Sequence, residues 1–312
     1  MVIFDKDIVE DPLDDLDRVH APNEAREGSV HRLLSRLMQE EKGSSYHNTD
    51  PKRGHLSSSD GCKRRSYLNY IHKLDDSLEV PPNDNKTNWT FSHGDAVHEM
   101  IQEMLEEYLP SECITNEETV SYDINDDFYV YGHADIVLRG LDSVDKLNAA
   151  LPAKVQFEQD EIKGFPDPFV IDIKTKSEFK YYNYGKKGHA RTVPKESNLM
   201  QLNGYMGILG AKYGCLLYYS KRNDHIEEYW VEFDPELFQE ALDNLTEVLN
   251  AVNTGQPPVR DPDGEYMCEK FCKWYDTGAC PGMEGVTPHE NWDGDEDAFV
   301  YDHPEWAEEE AE

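Results

Sequence analysis

The chain has 312 residues, enough for one large domain or two small ones around a buried core. Its 64 acidic and 30 basic side chains give a net charge of -34, a surface suited to concentrated salt, where self-repulsion is screened, as in a halophile. With 38% hydrophobic residues and 18 tyrosines it does not read as a disordered acidic protein, and it has neither a run of about 18 to 20 apolar residues that would span a membrane nor a signal-peptide order at Met1-Val2-Ile3-Phe4-Asp5, so a cytoplasmic location is expected.

Residues 1–50 read as an acidic extension with one helix from about Ser29 to Glu41, carrying Val30, Leu33, Leu34 and Leu37 on one side. Ser57-Ser58-Ser59-Asp60 offers N-caps for a helix through Cys62, Tyr67 and Tyr70. A helix from about Ser92 to Leu109 follows, with Val97, Ile101, Met104, Leu105 and Tyr108 as its buried stripe and His98 at the edge. Glu118 to Ile124 and Phe128 to Leu138 predict two strands, joined as a hairpin by Asn125-Asp126-Asp127. Residues 140–165 read as an irregular surface excursion. A strand over Phe169 to Thr175 then turns Asp172 and Lys174 to one face and Ile171 and Ile173 to the other. A helix from Ser197 to Gly210, strands over Tyr213 to Ser220 and Ile226 to Phe233, and a helix over Pro235 to Asn253 capped by Asp234 complete a core of residues 51–255. Residues 256–289 form a cysteine module, and 290–312, with 11 acidic residues and no lysine or arginine, a solvated tail.

A carboxylate and an ammonium side by side on an apolar strand cost free energy unless something binds there, and a divalent cation beside a phosphate explains both. Asp135, within Gly132-His133-Ala134-Asp135, supplies a second carboxylate from a strand inferred to be adjacent. Two carboxylates and the His98 imidazole can hold Mg2+ or Mn2+, and Lys174 can orient or deprotonate an attacking water. Singly, an Asp-x-Lys, a strand aspartate or a helical histidine is more often a turn, salt-bridge or core residue. The ordered set carries the reading.

Basic residues concentrate in two windows. Residues 174–195 hold Lys174, Lys176, Lys180, Lys186, Lys187, Arg191 and Lys195 against Glu178 alone, with Tyr181, Tyr182 and Tyr184 interleaved. Residues 52–73 hold Lys52, Arg53, Lys63, Arg64, Arg65 and Lys73 against Asp60 alone. Positive charge with aromatic rings suits phosphate tracking and base stacking on single-stranded DNA; a solvated loop with incidental tyrosines is the plainer alternative. Cys268, Cys272 and Cys280 offer three thiolates, which need a fourth to close a zinc site or an iron–sulfur cluster, while Cys113 and Cys215 read as bystanders.

Together these residues resemble the RecB-like branch of the PD-(D/E)XK nucleases: Gly94-x-x-x-His98, Gly132-x-x-Asp135, Asp172-x-Lys174 and Gln201-x-x-x-Tyr205 stand in the family's order. The resemblance implies an α/β restriction-endonuclease-like core, a mixed central sheet flanked by helices. It implies cation ligands in His98, Asp135, Asp172 and the Ile173 carbonyl, a catalytic Lys174, and a substrate-side pair in Gln201 and Tyr205. One cysteine before these motifs and three after them are similar to the family's iron–sulfur subset of AddB-type nucleases, CRISPR-associated adaptation nucleases and replication helicase-nucleases. That likeness implies a 4Fe-4S cluster on Cys62, Cys268, Cys272 and Cys280, formed by the N- and C-terminal segments, with zinc as the competing metal. Cys268 and Cys272 enclose three residues where the family commonly has two.

The expected function is a Mg2+- or Mn2+-dependent single-strand DNA exonuclease acting in recombination and repair, CRISPR adaptation or viral DNA processing. A structure-specific or double-strand endonuclease of the same superfamily is one alternative. A non-catalytic DNA-binding subunit is another, marked by loss of Asp135, Asp172 or Lys174, all of which are present. The chain carries no helicase motif, so a helicase or recombination and integration partner would be a separate chain.

Overall fold

The computed structural model describes residues 50–59, 61–74, 85–159, 161–176, 194–222 and 224–259, together with 268, 272–275 and 280. The expected Ser29 to Glu41 helix, the acidic tail and the lysine- and tyrosine-rich residues Lys180, Tyr181, Tyr182, Tyr184, Lys186, Lys187 and Arg191 lie outside the described residues.

Among the described residues a mixed six-stranded sheet is built from β1 Arg53–His55, β2 Ile114–Asp123, β3 Tyr129–Leu138, β4 Phe169–Lys176, β5 Tyr213–Ser220 and β6 Ile226–Glu232. The helices are α1 Lys63–Leu74, α2 Asn85–Tyr108, α3 Val144–Ala150, α4 Glu196–Leu209 and α5 Pro235–Thr254. β2 and β3 form the expected hairpin, because Asn125 Oδ1 accepts the Asp127 and Phe128 N–H groups at 2.9 and 3.0 Å and closes an Asx turn.

β3 organises the sheet. One edge pairs antiparallel with β2 on both sides of an unpaired Glu117 and Asp135, while the other is divided between two strands. β1 runs parallel to Tyr129–Tyr131 and β4 antiparallel to Ile136–Leu138, so Gly132 to Asp135 have no strand partner on that edge among the described residues. β5 continues parallel to β4, and β6 antiparallel to β5. The fork between β1 and β4 is where backbone and side-chain groups are free of the ladder.

Helices cover both faces, which is why β5 and the first three residues of β4 read as apolar runs. On the α4 and α5 side lie Val170, Leu202, Tyr205, Met206, Leu216, Tyr218 and Leu245. On the α2 and α3 side lie Leu109, Ile136, Leu138, Leu147, Phe169, Ile173 and Cys215. The period-two alternation of β4 therefore sends Val170 one way and Phe169 and Ile173 the other. A third cluster joins α1, through Tyr67 and Leu68, to α5, through Val248, Leu249 and Val252, and to Trp274.

α5 begins as its sequence dictates: Asp234 Oδ1 accepts the N–H groups of Glu236 and Leu237 at 2.9 and 3.3 Å, and Pro235 takes the first turn. Other expectations are corrected. The serines do not cap α1; Leu56–Ser58 form a 3-10 turn, and Ser59 Oγ donates to the Leu56 carbonyl at 2.7 Å. α1 starts at Lys63, with the Cys62 carbonyl accepting from Ser66 N at 3.1 Å. α2 starts at Asn85 and rests through Val97, Ile101 and Leu105, so Met104, on the flank of that stripe, is 56% exposed. Residues 140–165 contain α3, capped by Ser143 accepting from Lys146 N; at seven residues it is too short to announce a period. No helix among the described residues is long and apolar enough to cross a membrane.

Candidate metal centre

Asp172 is completely buried, on the β4 face that carries Val170. Its Oδ2 lies 2.7 Å from Lys174 Nζ, and its Oδ1, also buried, has no hydrogen-bond partner among the described residues. Lys174 donates to Gln201 Oε1 at 3.1 Å, and Gln201 Nε2 donates to the Tyr205 hydroxyl at 3.0 Å. Gln201 and Tyr205 face the same way because they are one turn apart on α4. One chain of contacts thus runs from Asp172 through Lys174 and Gln201 to Tyr205.

Asp135 enters from β3 at the fork. β4 leaves the ladder after Ile171, and the Ile173 N–H, freed from β3, donates to Asp135 Oδ2 at 2.6 Å. The same oxygen is 3.7 Å from His98 Nδ1 on α2. His98, Asp135, Asp172, Ile173, Lys174, Gln201 and Tyr205, which the sequence singled out from positions 98 to 205, therefore converge. Two motif glycines permit this. A Cβ on Gly132 would lie 2.8 Å from Tyr205 Cε1, and one on Gly94 would lie 3.2 Å from Thr175 Oγ1, so both allow close packing around the centre.

The electrostatics follow from crowding carboxylates in a mostly buried place. Burial, then the Asp172 charge, pushes the Asp135 carboxyl well above the usual carboxylate range. Burial alone would lower the Lys174 ammonium, but Asp172 and Asp135 outweigh it and hold the group above its ordinary value. Lys174 is thus a cation here, a charge-neutralising donor rather than a ready base. Burial, then Lys174, pushes His98 down and favours the neutral imidazole that a metal needs. Burial pushes the Tyr205 phenol up, keeping its proton. An imidazole nitrogen, carboxylate oxygens and an orphaned buried carboxylate oxygen fit Mg2+ or Mn2+.

Two residues at the centre were missed by the sequence reading. One ligand atom each of His98, Glu117 and Asp135 lies within 4.8 Å of the others. Gln102 Nε2 donates both to Glu117 Oε1 at 2.9 Å and to the Asp135 carbonyl at 3.0 Å. Gln102 had a signal, since it follows His98 by one helical turn. Glu117 had none, because β2 was expected to begin at Glu118.

The cysteines are arranged around α1. Cys62 directly precedes that helix, and Cys272 and Cys280 pack against the cluster containing Tyr67 and Leu68. Cys268 is buried, and its carbonyl accepts from Cys272 N at 3.3 Å. Between Cys272 and Cys280, Trp274 is fully buried and donates to Asn69 of α1 at 2.9 Å. A buried indole contributes on the order of 4 kcal/mol, enough to fasten this segment to α1. Among the described residues no three of these thiols come within 4.8 Å of one another. Cys215 is buried in the sheet, which pushes its thiol up to about 12, and burial also raises Cys113.

The expected DNA-contacting residues divide. Lys63 pairs with Glu247, and Arg64 donates to the Pro258 carbonyl at 2.8 Å, so both tie α1 to the C-terminal side. Arg65 is partly exposed on the same helix. Lys176 lies 4.2 Å from the Tyr218 ring centre, and burial, then Lys195, pushes its ammonium down to about 8.

No family model and no curated protein matches the chain. Among solved structures it is similar to the crystal structure of SSO0001, at 18% identity over 82% of this chain and 98% of that one, with a TM-score of 0.49. At that distance the likeness assigns no family. Among the described residues the chain has a mixed α/β fold, a six-stranded mixed sheet flanked by helices.

Proposed function

We propose that the protein is a metal-dependent DNA nuclease with a RecB-like PD-(D/E)XK centre, acting on single-stranded DNA as an exonuclease. The observation that carries the reading is Asp172: a fully buried carboxylate with one orphaned oxygen, paired to Lys174 and set beside Asp135. Such a group is costly unless a cation completes it.

Asp135, Asp172 and neutral His98 would hold the cation, with the Ile173 carbonyl as the fourth ligand that the resemblance implies. A bound Mg2+ or Mn2+ supplies Lewis acidity and lowers the pKa of its water. Lys174, kept charged by its carboxylate neighbours, donates toward the attacking water and the negative charge that builds on the phosphoryl oxygens. Gln201 fixes the Lys174 ammonium, and Tyr205, protonated, fixes Gln201. Cys62, Cys268, Cys272 and Cys280 hold a structural 4Fe-4S cluster in this reading. Its support is the docking of the C-terminal cysteine segment on the helix that follows Cys62.

The test is incubation with 5′-labelled and 3′-labelled single strands, duplexes and circles in high-salt Mn2+ buffer. Shortening of linear single strands from one end with circles intact is expected. Cutting of circles overturns the exonuclease assignment, and absence of cutting on every substrate overturns the nuclease.

A further inference from the structure

We infer that Glu117 is a ligand of the divalent cation, forming with His98 and Asp135 a set of one nitrogen and two carboxylates; the inference rests on the cation-dependent reading above. The three side chains reach one another from three elements, α2, β2 and β3, with ligand atoms within 4.8 Å. Glu117 stands opposite Asp135, between the paired Asn116↔Ile136 and Glu118↔Ala134.

The backbone is arranged for this position. Glu117 adopts a left-handed conformation, φ +48°, in the middle of a strand, where an ordinary L residue gains nothing from it. Side-chain alternation breaks at the same place on both strands. Ile114 packs on the α2 side and Val120, an even number of residues later, on the α4 side; Ala134 packs on the α4 side and Ile136 on the α2 side. Gln102 then holds the Glu117 carboxylate and the Asp135 backbone together through one amide.

A separate observation points to a missing positive partner. Asp172, the residue before the Ile173 whose N–H holds Asp135, keeps a fully buried oxygen with no hydrogen bond among the described residues. Asp172 and Asp135 thus share the Lys174 ammonium, and Glu117 adds a third carboxylate beside Asp135. A hard dication that accepts oxygen and imidazole donors matches that excess, whereas a surface glutamate placed for solubility would have no reason to join it.

Mn2+ binding to the full-length protein in high salt, read by electron paramagnetic resonance and by metal-free melting, tests the assignment. Glu117→Gln keeps the size and the Gln102 contact, so its metal-free melting temperature should stay at or above wild type while Mn2+ affinity falls at least about tenfold. Wild-type Mn2+ affinity in Glu117→Gln, with affinity lost in Asp172→Asn, overturns the role of Glu117 alone. A wild-type protein that binds no Mn2+ overturns both the inference and the reading beneath it.

Discussion

Replacing Lys174 by methionine removes the ammonium while keeping most of the side-chain volume. Asp172, completely buried, then loses the group 2.7 Å from its Oδ2, and Asp135 loses the charge that moderates its repulsion from Asp172. Breaking a buried pair in this way costs roughly 3 to 5 kcal/mol. The Lys174 side chain is 21% exposed, which favours the lower figure, about 3 kcal/mol. For a domain of this size each kcal/mol moves Tm by about 2 to 4 °C, so a loss of about 6 to 12 °C is expected in EDTA. High salt should leave most of it, because buried pairs are poorly screened. Added Mn2+ should raise the variant's Tm more than the wild type's, since a dication offsets the same two carboxylates. Circular dichroism melts with EDTA and with Mn2+ give both numbers. A variant that melts within about 2 °C of wild type in EDTA would refute the electrostatic account of the centre.

Other substitutions probe separate parts of the structure. Gly132→Ala puts a methyl where Tyr205 Cε1 lies 2.8 Å away and should cost about 1 to 3 kcal/mol, with cleavage falling further than stability explains because Gln201 shifts with Tyr205; denaturant melts and turnover rates check this. Burial pushes His55 down to about 4, against about 6.5 when unfolded, so the unfolded chain takes up the proton first as pH falls. Stability held above pH 6.5 is therefore lost toward pH 4, by about 3 kcal/mol, and His55→Asn should flatten that part of the pH–stability curve relative to wild type. Cys272→Ser should remove the visible absorption and the iron of a brown wild-type protein; a colourless wild type with stoichiometric zinc would contradict the cluster.

The fork in the sheet explains which parts of the centre could be read from the chain. Asp172 and Lys174 were legible because strand alternation alone puts them on one face, and Gln201 and Tyr205 because four residues make one helical turn. Those rules are local. The part played by Gly132 depends on a ring from α4, and Trp274 finds Asn69 from 205 positions away, so neither packing contact has a local signature. Glu117 is the sharpest case. Nothing about a glutamate announces a left-handed backbone in mid-strand, and the residue becomes visible only when β2 and β3 pair and bring it across from Asp135. The α3 helix was missed because one capping serine and seven residues are too little pattern to separate from a loop.

If Asp172 and Lys174 form the working part of a cation-dependent nuclease, Mn2+-dependent cleavage of end-labelled single-stranded DNA must need both, which is measured with wild type, Asp172→Ala and Lys174→Ala, each shown to be folded by circular dichroism. Cleavage by wild type and none by either folded variant is the predicted result. Undiminished cutting by either one would contradict the account.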